Sequence, residues 1–160
     1  FCIAMSRPST GDPRGRNKDS NTSHSVVVRI RPPCDEEQPI ALWVAEDSKK
    51  HLFCGRGSVI EEYSFSRVFD NQDTNSTVFN CIHGHAIVDS VLCGFSETIF
   101  AYGQTSSGKT HTIFGSDQEA GLMQEFVHAL FQAKEQSRGS RHLVELSTFE
   151  VLNDTLTDLV

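Results

Sequence analysis

Gly103-Gln104-Thr105-Ser106-Ser107-Gly108-Lys109-Thr110 decides the fold class, because each fixed position of this octapeptide has a chemical reason to be where it is. It fits the phosphate-binding pattern G-x-x-x-x-G-K-[ST]. The glycines let the backbone curl until several N–H groups converge into a concave anion nest. Lys109 supplies a point charge for the outer phosphates, and the Thr110 hydroxyl is the expected Mg²⁺ ligand. A helix beginning behind the loop adds the partial positive charge of its N-terminus. Gly103, Gln104, Thr105, Ser106, Ser107, Gly108, Lys109 and Thr110 are therefore the candidate nucleotide-phosphate ligands.

The flanks agree with that reading. Thr98-Ile99-Phe100-Ala101-Tyr102 is a short apolar, β-branched and aromatic run, the buried strand expected to feed such a loop. No proline follows Pro39, so the segment after the loop is free to turn helical. A Gly/Ser-rich linker would not place Lys-Thr at its end between a buried strand and a helix. Before the strand, Val78, Phe79, Ile82, Ala86, Ile87 and Val91 recur at helical spacing. Asp73 or Asn75 is expected to cap that helix, and Gly94 sits where its C-terminus wants a positive φ. After the loop, Gly115–Gly121 is a polar break. Leu122, Met123, Phe126, Val127, Leu130 and Phe131 then fall on one helical face as far as about Ser137. Leu143–Leu152 reads as a strand, and Asn153-Asp154 turns the chain. Helices and strands thus alternate in α/β order.

Earlier, Ser25-Val26-Val27-Val28-Arg29-Ile30-Arg31-Pro32 reads as a strand that Pro32-Pro33 stops. Ala41–Ala45 and His51–Cys54 pair as a small hairpin across Asp47–Lys50, with Gly55 and Gly57 marking a further turn. Tyr63–Phe69 alternates with period two, a half-buried strand. Residues 1–24 are expected to be a disordered tail. Ser, Arg, Gly, Asn and Pro dominate Ser6–Ser25, which holds too little apolar surface to offset ordering entropy.

Hydrophobic residues make up 38% and charged residues 22% of the 160-residue chain, the balance of one globular domain or part of one. Of 14 basic and 21 acidic residues, residues 1–31 hold six and two, so the remaining 8 and 19 give residues 32–160 a net −11. No clustered basic face is expected, so nucleic acid is not an expected partner. No apolar run approaches the ~20 residues that span a bilayer, so membrane insertion is not expected either. Five cysteines, an odd number without a C-x-x-C pair, point to reduced thiols inside a cell rather than a disulfide framework. His83 and His85, spaced i, i+2, face different sides of a helix and are declined as metal ligands. Asp89 lies inside a helical pattern and is read as an exposed helix carboxylate.

At this point the chain resembles the kinesin motor domain. Val28-Arg29-Ile30-Arg31-Pro32 is similar to that family's opening V-x-R-x-R-P strand, and Tyr63–Phe69 to its Y-x-F-D-x-V-F segment, with Ser66 in place of Asp. Gly94–Thr112 resembles the family signature nearly throughout. Glu150-Val151-Leu152-Asn153-Asp154 to Asp158-Leu159 resembles E-I-Y-N-E…D-L, with Leu152 in place of Tyr. The resemblance runs from about Ser25 to Val160. It implies an α/β fold of the P-loop NTPase kind, a mostly parallel or mixed central sheet flanked by helices. Residues 25–160 are then expected to be its N-terminal, incomplete part.

The resemblance also implies site roles and partners. Arg29, Arg31 and Pro32 are expected to line an adenine pocket, where guanidinium planes stack on bases and proline offers a rigid wall. His111 would border the nucleotide. ATP and Mg²⁺ are the implied cofactors, the microtubule the implied partner of the complete motor, and the cytoplasmic cytoskeleton its location. The family's two γ-phosphate-sensing runs, N-x-x-S-S-R-S-H and D-x-x-G-x-E, do not occur in residues 1–160 and would lie beyond Val160 in the family's order. No catalytic residue is therefore expected here, and the chain alone is not expected to hydrolyse ATP efficiently. Two alternatives stand beside this reading, a degenerate non-motor nucleotide-binding or interaction module, and another P-loop enzyme.

Overall fold

The computed structural model describes residues 2–7, 23–32, 41–56, 58–136 and 142–159. Its main sheet has four strands. β1 (Cys2–Arg7) lies between β2 (Ser23–Arg29) and β7 (Thr98–Tyr102), antiparallel to both, and β6 (Arg67–Phe69) pairs parallel to β2 on its other edge. β6, β2 and β7 therefore run in one direction and β1 against them, a mixed sheet. The expected disorder over residues 1–24 fails at Cys2–Arg7. Cys-Ile-Ala-Met is apolar enough to form a strand, and each of its residues pairs with both neighbours, Ala4 with Val26 and with Phe100. Residues 8–22, the rest of that expected tail, lie outside the described residues, as do the strand-stopping Pro33 and the turn at Gly57.

A second, three-stranded meander holds β3 (Ala41–Val44), β4 (His51–Arg56) and β5 (Val59–Ser64). The hairpin expected across Asp47–Lys50 is present, with Lys49 at φ 48° in its turn, and Trp43 stacks on Phe53 at 5.5 Å. The single strand expected over Tyr63–Phe69 is divided. Its first part ends β5 and its last part is β6, because the chain changes sheets at Phe65–Ser66. There the Phe65 N–H donates to the Lys50 carbonyl and the Ser66 N–H to the Val26 carbonyl, both at 2.9 Å.

The helix expected from residue 73 or 75 to 91 is likewise two helices, α1 (Asn75–Cys81) and α2 (Gly84–Leu92). The cap is neither Asp73 nor Asn75 but Thr74, whose hydroxyl accepts from the Thr77 N–H at 3.1 Å. His83 adopts the left-handed region at φ 59° and ends the first helix's path. Gly84 then fits against the buried Phe79 ring, where any Cβ would overlap ring carbons. The exposed His85 packs edge-on against the same ring at 5.2 Å. Gly94 does close α2, at φ 93°, with its N–H on the Val91 carbonyl and that of Phe95 on the Ser90 carbonyl.

After β7 come α3 (Lys109–Phe114), a turn closed by Gly115 at φ 79°, and α4 (Leu122–Gln136). Val27, Phe69, Val78, Phe79, Ile82, Ile87, Val88, Leu122 and Ala129 form one core between the sheet and α1, α2 and α4. The strand expected from Leu143 is shorter: β8 (Phe149–Leu152) pairs only with β9 (Thr155–Asp158), across Asn153 and Asp154, both at positive φ. Every residue of this hairpin is exposed.

Candidate functional site

β7, at one edge of the four-stranded sheet, leads into the phosphate-loop residues, and α3 starts on Lys109. Between them the backbone turns through Ser106 at φ 63° and Gly108 at φ 98°. Within the turn the Ser107 N–H donates to the Gln104 carbonyl at 3.2 Å. Thr98–Tyr102 can form the feeding strand because Ile99 and Ala101 face inward, Ile99 against the core. The cost falls on the other face, where Phe100 is 52% and Tyr102 74% exposed.

Two side chains in the loop bear on anion binding. Ser107 is buried, and among the described residues its Oγ has no hydrogen-bond partner. Lys109 folds back over the loop, its Nζ donating to the carbonyls of Gly103 at 2.8 Å and Gln104 at 2.7 Å. An arriving phosphate would compete with those two carbonyls for an ammonium that is already positioned. Thr110 is exposed beside it. Among the described residues no group of three or more His, Cys, Asp or Glu could hold a metal by itself. A hydroxyl plus phosphate oxygens and water is instead the ligand chemistry that Mg²⁺ accepts.

Next to the loop opens a cavity of about 430 Å³. Arg29, Arg31, Pro32, Gly108 and His111 line it, so five of the residues singled out from sequence meet on one space. Gly103–Ser107, Lys109 and Thr110 stand at the adjoining loop rather than in that lining. The rest of the lining was not foreseen: Asn71, Gln72, Asp73 and Thr74 from the turn before α1, with Thr112 and Glu119. That turn is braced by its own carboxylates, Asp70 Oδ1 accepting from the Gln72 N–H and Asp73 Oδ2 from the Asp70 N–H.

Arg29 lines the cavity and is also held by protein contacts. It is 8% exposed, and its guanidinium is engaged by protein: Nη1 donates to Asn75 Oδ1 and to Thr112 Oγ1 (2.8 Å), and Nη2 to the Asp73 carbonyl (2.8 Å). Burial pushes its pKa below the ordinary arginine value, while Glu119 and Asp73 pull the other way. These bonds use the in-plane N–H groups of the guanidinium and hold it in the cavity lining, so Arg29 is part of the cavity's frame. His111 stands at the rim, its Nε2 3.6 Å from a carboxylate oxygen of Glu119. Asn75, Thr112 and Glu119 were missed because their partners are distant in sequence, 46 residues for Asn75 with Arg29 and 83 for Thr112 with Arg29. The sequence carries no local signal for such pairs.

A strand, a glycine-bent anion loop and a helix, beside a cavity walled by arginine and proline, define a P-loop nucleotide-binding protein. The chain belongs to the kinesin motor domain family, whose profile matches residues 13–160. It is 33% identical over 141 residues to Centromere-associated protein E of Homo sapiens, a match covering 85% of this chain and 5% of that protein. It is 34% identical over 137 residues to Kinesin-like protein KIN-7N of Arabidopsis thaliana (84% and 16%), and 39% over 117 residues to Kinesin-related protein 13 of Dictyostelium discoideum (71% and 9%). The chain thus spans only a small part of these relatives. The motor domain of a Kar3-like kinesin from Ashbya gossypii superposes with a TM-score of 0.62 at 25% identity, over 83% of this chain and 45% of that one. The family match begins after β1, so this strand is an addition to the matched region.

Proposed function

We propose that these residues form the ATP-binding part of a microtubule motor, in which ATP hydrolysis is coupled to movement along microtubules. The observation that carries the reading is the loop between β7 and α3, with the poised Lys109, beside the 430 Å³ cavity that Gly108 and His111 line. In this reading the backbone of Gly103–Gly108 and the Lys109 ammonium hold the phosphates. Arg29, Arg31, Pro32 and His111 flank the base, and Thr110 holds Mg²⁺. The ion, when bound, would neutralise charge on the outer phosphates. Family membership supports nucleotide binding and ATPase activity in intact motors. For these 160 residues we propose binding without efficient turnover, since they hold neither of the two γ-phosphate-sensing runs. Association with the microtubule cytoskeleton follows from the same membership. Among the described residues no helix is long and apolar enough to cross a membrane.

The test is displacement of a fluorescent ATP analogue from the purified chain in the presence of Mg²⁺. ATP should displace it more effectively than GTP, and EDTA should weaken binding. A chain that is folded by circular dichroism yet binds no nucleotide would instead support the degenerate-module reading.

A further inference from the structure

The polar cluster beside the cavity is built on Asn75, the first residue of α1, at 0% exposure. Its Oδ1 accepts from Arg29 Nη1, its Nδ2 donates to the carbonyls of His111 (3.2 Å) and Ala120 (2.9 Å), and its backbone N–H donates to Glu119 Oε1. One residue thereby ties the end of β2, the start of α1, the middle of α3 and the turn after α3. Arg29 carries the network on to Thr112 Oγ1 and the Asp73 carbonyl. Asp73, His111, Thr112, Glu119 and Arg29 are all cavity walls. None of Asn75's partners belongs to the phosphate loop itself, which is held by β7 and by the Lys109 contacts to Gly103 and Gln104.

We propose that Asn75 is a positioning residue for the nucleoside half of the ligand: by joining Arg29 to the His111 and Ala120 carbonyls it sets the distance between the Arg31–Pro32 wall and the His111 wall, without acting on the phosphates. The proposal rests on the nucleotide-binding reading above. Its physical basis is the carboxamide, whose two donors and one acceptor oxygen are all used here. A replacement without donors leaves the Ala120 carbonyl without this partner and the His111 carbonyl with only the Gly115 N–H. A buried network with a missing member relaxes by moving its elements, here the first turn of α1 against α3.

The experiment compares ATP with inorganic tripolyphosphate, which has the phosphates and no base, as competitors of a fluorescent ATP analogue on the full chain. Asn75→Asp keeps the acceptor for Arg29 and the side-chain shape but removes both donors. Asn75→Ala removes the whole group. ATP affinity should fall roughly tenfold or more in both variants, while tripolyphosphate affinity stays within about twofold of the parent. If Asn75→Ala does not fold, Asn75→Asp and Thr112→Val, which strips Arg29 of its hydroxyl partner at constant shape, decide the matter. Equal losses for both competitors, no loss for either, or a failure of all three variants to fold would overturn the proposal. A parent chain that binds ATP no better than tripolyphosphate would overturn it too. A folded parent that binds neither compound overturns the nucleotide reading itself.

Discussion

At the residue scale, the site depends on a few side chains whose work is separable. Lys109 makes no contact with the core and bridges two loop carbonyls, so Lys109→Ala should leave the fold intact. It should nonetheless lower Mg·ATP affinity at least ~100-fold, since charge-assisted contacts to phosphate are the strong ones. Titration with the fluorescent analogue checks this, and unchanged affinity would count against the loop assignment. Arg29→Ala should behave in the opposite way. It leaves Asn75, Thr112 and the Asp73 carbonyl short of a buried partner, and so lowers stability by about 3 kcal/mol. Urea unfolding should show that loss in every solution, with or without nucleotide. The phosphate loop was legible from its own eight residues because its chemistry is local. The hydrogen bonds that hold Arg29 were not, because a guanidinium on a strand does not say which distant side chains will meet it.

At the scale of elements, helix and strand types were largely legible, since periods of 3.6 and 2 report which face is buried. Their limits were not. The expected helix of residues 73–91 divides at Ile82–His83, and the expected strand of Tyr63–Phe69 divides between two sheets, each for a tertiary reason: the Phe79 ring against Gly84, and the carbonyls of Lys50 and Val26. Phe79 is also pinned by the edge contact with Phe126 at 4.9 Å. Gly84→Ala should therefore cost about 1–3 kcal/mol, far more than an alanine would at an open helix start, and thermal melting measures it. Thr74→Ala, which removes the N-cap hydroxyl of α1, should cost about 1 kcal/mol in the same assay. β1 was read as tail because polar residues 6–25 outweighed the five apolar ones before them. Ala4→Pro removes a ladder donor from a strand paired on both sides, so the urea midpoint should fall by the equivalent of ~1–3 kcal/mol. An unchanged midpoint would mean the sheet does not need β1.

At the scale of the whole molecule, stability is unevenly spread. The core joins one side of the sheet to α1, α2 and α4, whereas the β8–β9 hairpin exposes Phe149, Val151, Leu152 and Leu156 at 62–68%. Native-state hydrogen exchange should find the Val151 and Leu156 amides opening with little protection while those of Val27 and Ile87 follow global unfolding. The α/β class, the loop and the family were all legible in the sequence, because they are carried by short ordered motifs. The frame that shapes the cavity was not, since it is assembled from residues on four separate elements. The claim on which the rest stands is that this frame and loop bind Mg·ATP. Its most direct test is equilibrium binding of a fluorescent ATP analogue to the purified 160-residue chain, competed with ATP and GTP. Saturable, Mg²⁺-dependent binding with ATP preferred is the predicted result, and no binding by a chain shown to be folded would contradict it.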